Sequence, residues 1–263
     1  MAKYQFQTEV NQLLKLIIHS LYSNKDIFLR EIVSNGSDAL DKLKYLSVSD
    51  DNYKNIKFEP RIDITFDESN SILAVQDSGI GMNEEDLTTN LGTIARSGTK
   101  AFLEKLSSDA AKDSALIGQF GVGFYSAFMV SKKIKVESRS ALSDKAYIWK
   151  SEGADGYTIK EGKFDTVGTV ITLKLKDDTD LENYSEYLDS YRIKGIVKKY
   201  SDYIRYPIVM DMEKSKLKDG SENLGHSMIL DYNGNILSEI DKIEGGIYAK
   251  INLEEMYEFR KKV

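Results

Sequence analysis

The chain has 263 residues, 41% hydrophobic and 30% charged, with 42 acidic against 36 basic side chains and a formal net charge of -6. That composition supports a soluble fold with a real core, in one large or two modest domains, and argues against a dedicated nucleic-acid surface. The lack of cysteine excludes disulfides, thiolate catalysis and thiolate metal sites, and two histidines, His19 and His226, are too few for a histidine metal cluster.

Val10, Leu13, Leu14, Ile17, Ile18 and Leu21 recur at helical spacing and predict a first helix over residues 8–21, with His19 packing or capping near its end. Ser23 or Asn24 then reads as the cap of a second helix, with Asp26 in its positive first turn, running to about Leu46. Glu31, Asn35, Asp38 and Lys42 fall at i, i+4, i+7 and i+11, so they line one face of that helix. Leu29, Ile32, Val33, Leu40 and Leu43 spread around the rest, which predicts a helix buried over much of its surface. From this segment alone two readings stand: a solvated stripe, or a ligand or Mg²⁺ held by oxygen donors over the helix.

RIDITFDE (61–68) alternates with a period of two, and SILAVQDSG (71–79) is richer in apolar residues; together they predict a hairpin. The second strand ends in Asp77, followed by Gly79 and Gly81. QDSGIGM reads either as a turn with an Asx cap or as a carboxylate awaiting a ligand amine beside closely approaching backbone. Residues 80–110 read as helix in pieces, broken by Gly92 and Gly98, and NLGTIARSGT (90–99) reads as a polar lid. GQFGVGFYSAFMV (118–130) reads as a glycine loop opening a helix, an anion cradle of backbone N–H groups. Its spacing matches neither the dinucleotide-binding nor the Walker pattern.

KKIKVESRS, AYIWKSEG, GYTIKEG and GTVITLKLKD predict four antiparallel strands, then a helix near 181–200 and a closing segment YIRYPIVM. The expected fold is a two-layer α/β sandwich, its mixed and mainly antiparallel sheet covered by helices, and not doubly wound. Residues 216–224, within a polar stretch from 210 to 225, read as a linker between a domain of residues 1–215 and a small unit of residues 225–263. That unit holds a hairpin around Asn233 and Gly234, a strand and a short helix, and it needs a partner surface to build a core. No window reaches the 18 or so apolar residues of a membrane span and MAKYQFQTEV is not a signal peptide, so a soluble cytoplasmic protein is expected.

REIVSNGSDALDKLKY, DSGIGM, TNLGTIARSGT, GQFGVGFYSAF and VGTVITLKL, in this order, resemble the N-terminal ATP-binding domain of the Hsp90 chaperones, the bacterial ones in particular, over residues 1 to about 220. The resemblance implies the Bergerat fold shared with gyrase, histidine-kinase and MutL ATPases. It implies that Glu31 activates the attacking water, that Asn35 binds Mg²⁺, and that Asp77 accepts from the adenine amino group. Thr169 would help through water, Gly81 would lie close to the base, and Asp38, Met82 and Asn90 would line the pocket. Gly118, Gln119, Phe120, Gly121, Val122, Gly123 and Phe124 would wrap the phosphates, Ser97, Gly98 and Thr99 would lie in the lid, and Lys42 would either reach polar atoms near the phosphates or structure water.

The implied ligands are ATP, ADP and Mg²⁺, and the implied partners are unfolded client proteins, with no nucleic acid and no membrane. Slow hydrolysis is expected without a middle-domain arginine and a dimerising partner; the alternative is a non-catalytic nucleotide- or inhibitor-binding module acting through conformation. Two departures stand out. Gly36 occupies a position where the family usually has alanine, at roughly 1 kcal/mol of helix propensity, beside the Mg²⁺ ligand Asn35. Residues from about 223 to 263 resemble the end of nitrilase-type carbon–nitrogen hydrolases without their glutamate–lysine–cysteine set, so no amidase activity is expected, and exposed strand edges there favour self-association.

Overall fold

Strands of alternating pattern need one face covered, and here a long helix covers it. The computed structural model describes residues 24–93, 121–153, 156–211, 227–230 and 236–240. Helix α1 (Ile27–Ser49) is followed by β1 (Ile62–Asp67), β2 (Ile72–Asp77), α2 (Glu84–Leu91), a 3₁₀ segment (Gly123–Met129) and β3 (Ser131–Arg139). Then come β4 (Ala146–Ser151), β5 (Tyr157–Gly162), β6 (Gly168–Leu175), a 3₁₀ turn (Ser185–Leu188), α3 (Ser190–Tyr200) and β7 (Ile208–Met210). The seven strands form one sheet in the order β5-β4-β3-β6-β2-β1-β7. All neighbours are antiparallel except β1 and β7, which are parallel. The expected mixed, mainly antiparallel α/β architecture is therefore present.

Register organises the covered face into cross-strand rows. Leu73 pairs with Leu173 and that with Ile134; Val75 pairs with Ile171 and that with Val136. These six are buried, as are Ile62 and Ile64 of β1, and they meet Phe28, Leu29, Ile32, Val33 and Leu40 of α1 in a single apolar cluster. Burying side chains of this size stabilises the fold by roughly 1.5–3 kcal/mol each, before the entropy of ordering them is subtracted. The last row, Asp77–Thr169–Ser138, is polar yet also buried.

Several local expectations shift. The cap of α1 is Asp26 rather than Ser23 or Asn24, and it makes no side-chain cap bond. Asn24 Oδ1 instead accepts from the Asp26 N–H at 2.9 Å. The Asp26 carboxylate is turned to Arg192 Nη2 at 2.6 Å and the Tyr187 hydroxyl at 3.2 Å, tying α1 to α3. The helix expected near 181–200 begins only at Ser190, because Asp178 accepts the N–H groups of Tyr184 and Ser185 at 2.6 and 2.8 Å and holds that stretch as a turn. Asp189 then caps α3 through the Arg192 N–H at 2.6 Å. The closing YIRYPIVM contributes the short edge strand β7.

The chain divides into two compact units, Met1–Asp211 and Met212–Val263. In the second unit β8 (Ser227–Leu230) and β9 (Ile236–Ile240) pair antiparallel, the two strands expected of the hairpin. The Asn233–Gly234 turn, the first helix, both histidines, the linker and the last helix lie outside the described residues. Among the described residues no helix is long and apolar enough to cross a membrane.

Candidate functional site

The polar stripe of α1 is not a solvated face. Asp38 is only 1% exposed, Asn35 and Lys42 are half-buried, and Glu31 keeps 20% of its side-chain surface. Glu31 Oε1 accepts from Arg30 Nε at 3.1 Å and also from Arg30 Nη2. Burial lowers the Lys42 ammonium pKa, and the nearby carboxylates of Asp38 and Asp86 oppose that shift. Buried ions need such partners, so Lys42 is braced between the turn below it and the first turn of α2.

The glycine loop reaches this stripe directly. A Cβ on Gly123 would overlap Glu31 Oε2, so only glycine lets the loop backbone lie against that carboxylate. The segment that follows is a 3₁₀ helix, not the α-helix the sequence suggests; Ser126 Oγ donates back to Gly123 O at 2.6 Å. Gly121 and Val122 are half-buried in the loop, and Phe124 packs edge-on to Trp149 with ring centroids 5.5 Å apart.

Asp77 ends β2 under α1. It is 7% exposed, and burial pushes its carboxyl up to about 7, with the hydrogen bond from the Gly79 N–H (2.9 Å) pulling the other way. The DSGIG turn is fastened to α1 by the Ile80 N–H, which donates to Ala39 O at 3.1 Å. Gly36 lies against Asp77 itself: an added Cβ would stand 3.2 Å from Asp77 Cβ and 3.4 Å from Ile62 Cδ1. Besides its chain neighbours Asn35 and Ser37, Gly36 thus packs on the strand residues Asp77 and Ile62.

Thr169 is directly paired with Asp77 across β2 and β6, and is 4% exposed. Gly81, at φ +66, presses on Arg139 O, and the Met82 N–H donates to Ser138 Oγ at 2.8 Å. The structure therefore brings together Glu31 with Gly123, Gly36 with Asp77, and Asp77 with Thr169, with Met82 tied in through Ser138. Asn90 sits half-buried on α2, and no hydrogen bond among the described residues joins it to the others. Ser97, Gly98, Thr99, Gly118, Gln119 and Phe120 lie outside the described residues.

Sequence reading missed Ser138. Its signal was parity: in β3 it follows Ile134 and Val136 at period two, a hydroxyl on the inward face. A separate open depression of about 510 Å³ lined by Asn83, Glu84, Glu85, Thr88, Thr89 and Tyr147 contains none of the residues above; its carboxylates suit no phosphate.

What assembles is a buried acceptor at a strand end and, along one helix, a carboxylate that meets a glycine loop with an amide one turn further on. Comparison with known proteins shows the family. Residues 22–164 match the family described as histidine kinase-, DNA gyrase B-, and HSP90-like ATPase. A chaperone protein HtpG from Campylobacter jejuni subsp. jejuni is 60% identical over 219 residues, covering 83% of this chain and 35% of the relative. HtpG from Sulfurimonas denitrificans is 57% identical over 226 residues and that from Helicobacter hepaticus 53% over 222, each covering 84% of this chain and 35% of the relative. The chain thus spans about a third of the length of the curated relatives it matches. By this match over residues 22–164 and by these relatives, the chain belongs to the histidine kinase-, DNA gyrase B- and HSP90-like ATPase family.

Proposed function

We propose that this chain binds ATP and ADP with Mg²⁺ and hydrolyses ATP slowly, as the nucleotide-driven N-terminal part of an Hsp90-type chaperone. The observation that carries this reading is Asp77: a carboxyl buried at the end of a strand, whose side chain accepts only the Gly79 N–H among the described residues, facing the helix of Asn35 and Glu31. One backbone donor leaves acceptor capacity on a buried carboxyl, and the adenine amino group would supply a second donor. Gly81, Asp38, Met82 and Asn90 would line the base and sugar, Gly118 to Phe124 would wrap the phosphates, and Ser97, Gly98 and Thr99 would close over them.

Among the described residues no group of three or more His, Cys, Asp or Glu could hold a metal alone. Asn35 would hold Mg²⁺ through its side-chain oxygen, a single hard donor that suits an ion which keeps waters and leans on phosphate oxygens. Bound there, Mg²⁺ supplies neutralisation of the phosphate charge. Glu31 would align a water and take its proton as the water oxygen bonds to the γ-phosphorus and the bond to the β–γ bridging oxygen breaks, leaving ADP and phosphate. Lys42, braced by Asp38 and Asp86, would hold the helix floor rather than carry chemistry.

Arg30 holds Glu31 through Oε1 and leaves Oε2 toward the glycine loop, and an ion-paired Glu31 also suits a second reading, a nucleotide-binding module without catalysis. Phosphate release measured against a control with the site blocked by a competitive inhibitor separates the two. Under the first reading Glu31→Ala abolishes release and keeps ATP binding; unchanged release in the variant removes Glu31 from that role. Client proteins as partners and a cytoplasmic location follow from the same reading. The resemblance of the tail to nitrilase-type hydrolases assigns it no chemistry in a chain without cysteine, and leaves it a surface for self-association.

A further inference from the structure

The polar row at the end of the sheet has three members, and one of them, Ser138, has no place in the site as the sequence suggested it. Asp77 pairs with Thr169, and Thr169 with Ser138, on three neighbouring strands. Directly paired side chains share a face, so the three stand side by side. Ser138 is fully buried. Its Oγ accepts the Met82 N–H at 2.8 Å, donates to Gly168 O at 2.9 Å, and lies 2.9 Å from Thr169 Oγ1.

A serine hydroxyl has one proton and two acceptor lone pairs. With the proton on Gly168 O and one lone pair taken by Met82, the remaining lone pair faces Thr169. The arrangement that uses every group has Thr169 donating its own proton to Ser138. Thr169 is then left with lone pairs only, next to a carboxylate. Gly168, whose carbonyl Ser138 holds, itself presses on the Asp77 carbonyl, since a Cβ there would overlap Asp77 O. Ser138 therefore fixes both the proton direction of Thr169 and the seat of Asp77.

We infer that Ser138 is a positioning residue for base recognition: by taking the Thr169 proton it keeps two acceptors, Thr169 and Asp77, at the base site. That wall favours a base edge bearing an amino group, as in adenine, over one bearing a carbonyl, as in hypoxanthine. A buried donor or acceptor left facing its own kind is penalised, so the discrimination follows from where the protons sit. The inference rests on the nucleotide reading of this site.

The test is calorimetric titration of the full chain with ADP and with IDP in Mg²⁺, for wild type, Ser138→Ala and Ser138→Thr. Removing the hydroxyl frees the Thr169 proton to face the base, and the ADP-over-IDP affinity ratio falls about ten-fold, the contribution of one hydrogen bond. Ser138→Thr, which keeps the hydroxyl, holds the ratio within about two-fold of wild type. In a Thr169→Val background Ser138→Ala leaves the ratio unchanged, because no proton remains to redirect. Equal weakening of ADP and IDP in Ser138→Ala, or an unchanged ratio, overturns the inference and leaves Ser138 a purely structural residue. If Ser138→Ala does not fold, Ser138→Cys reports the same ratio, its thiol being a weak acceptor, and an unchanged ratio there is equally contrary. Failure of the wild type to bind ADP at all would instead refute the nucleotide reading.

Discussion

Gly36 of α1 lies against Asp77 of β2, so close that a methyl group added to the glycine would stand 3.2 Å from Asp77 Cβ. The helix that carries Glu31 and Asn35 thus sets the height of the strand end that carries the buried carboxyl. A contact of that length obliges one partner to give by a few tenths of an ångström, and Ile62 Cδ1, 3.4 Å away on the neighbouring strand, limits the escape. Gly36→Ala gains roughly 1 kcal/mol of helix propensity and displaces Asp77. The expected outcome is a melting temperature equal to or above wild type with ADP affinity lowered by roughly two- to five-fold, the cost of one misaligned hydrogen bond. Thermal melts and titration of the same preparation check it.

Asp77 also makes stability depend on pH. Burial raises its folded pKa from 3.8 to about 7, so between those values the native chain keeps a proton that the unfolded chain has released. Native binding of the extra proton means that stability falls as pH rises through this window and levels off above about 7. The limit is on the order of 4 kcal/mol, at about 1.36 kcal/mol for each pH unit of the window. Asp77→Asn removes the titration. Urea unfolding from pH 5 to pH 8 is expected to show the variant gaining on wild type by a few kcal/mol toward the alkaline end. A donor from the base stabilises the ionised form, so wild-type ADP affinity should weaken as pH drops below about 7.

Lys42 is held between Asp38, which is 1% exposed, and Asp86 of the α2 capping box. Lys42→Met leaves Asp38 without that compensation. Loss of roughly 2 kcal/mol of unfolding free energy is expected, below the roughly 3–5 kcal/mol of a fully buried pair because Lys42 is only half-buried. Chemical denaturation measures it, and an unchanged midpoint would show that the pair contributes nothing.

Arg192 plays a similar part at the other end of α1. Its guanidinium meets Asp26 Oδ1 at 2.6 Å and Glu186 Oε2 at 3.0 Å, and Asp26 keeps only 9% of its side-chain surface. Arg192→Met strands that carboxylate at the helix start, and a loss of roughly 2–3 kcal/mol in chemical denaturation is expected. Asp26→Asn in the same background should recover part of it, since a neutral amide needs no counter-charge.

Much of this was legible in the sequence because half-buried strands advertise themselves. The alternation in residues 61–68 and 132–175 pointed to β1 and β3 to β6, and the apolar residues around Glu31 pointed to the buried helix. What was hidden depended on long-range pairing. β7 has three residues after Pro207, and only its parallel pairing with β1 makes it a strand. Asp26 looked like a first-turn acid, but Arg192 and Tyr187, more than 160 residues away, claim it. Ser138 read as an ordinary strand hydroxyl until register set it beside Thr169. Gly36 and Asp77 were each visible as oddities, while their contact was not.

The central claim is that Asp77 is the base acceptor of an adenine-nucleotide site. Titration of wild type and Asp77→Asn with ADP and Mg²⁺ at pH 8, where the carboxylate is ionised, tests it most directly. The variant presents an amide donor where the base also donates, and a loss of affinity of at least about 100-fold is expected, with the variant still folded. Undiminished binding in Asp77→Asn would contradict the account.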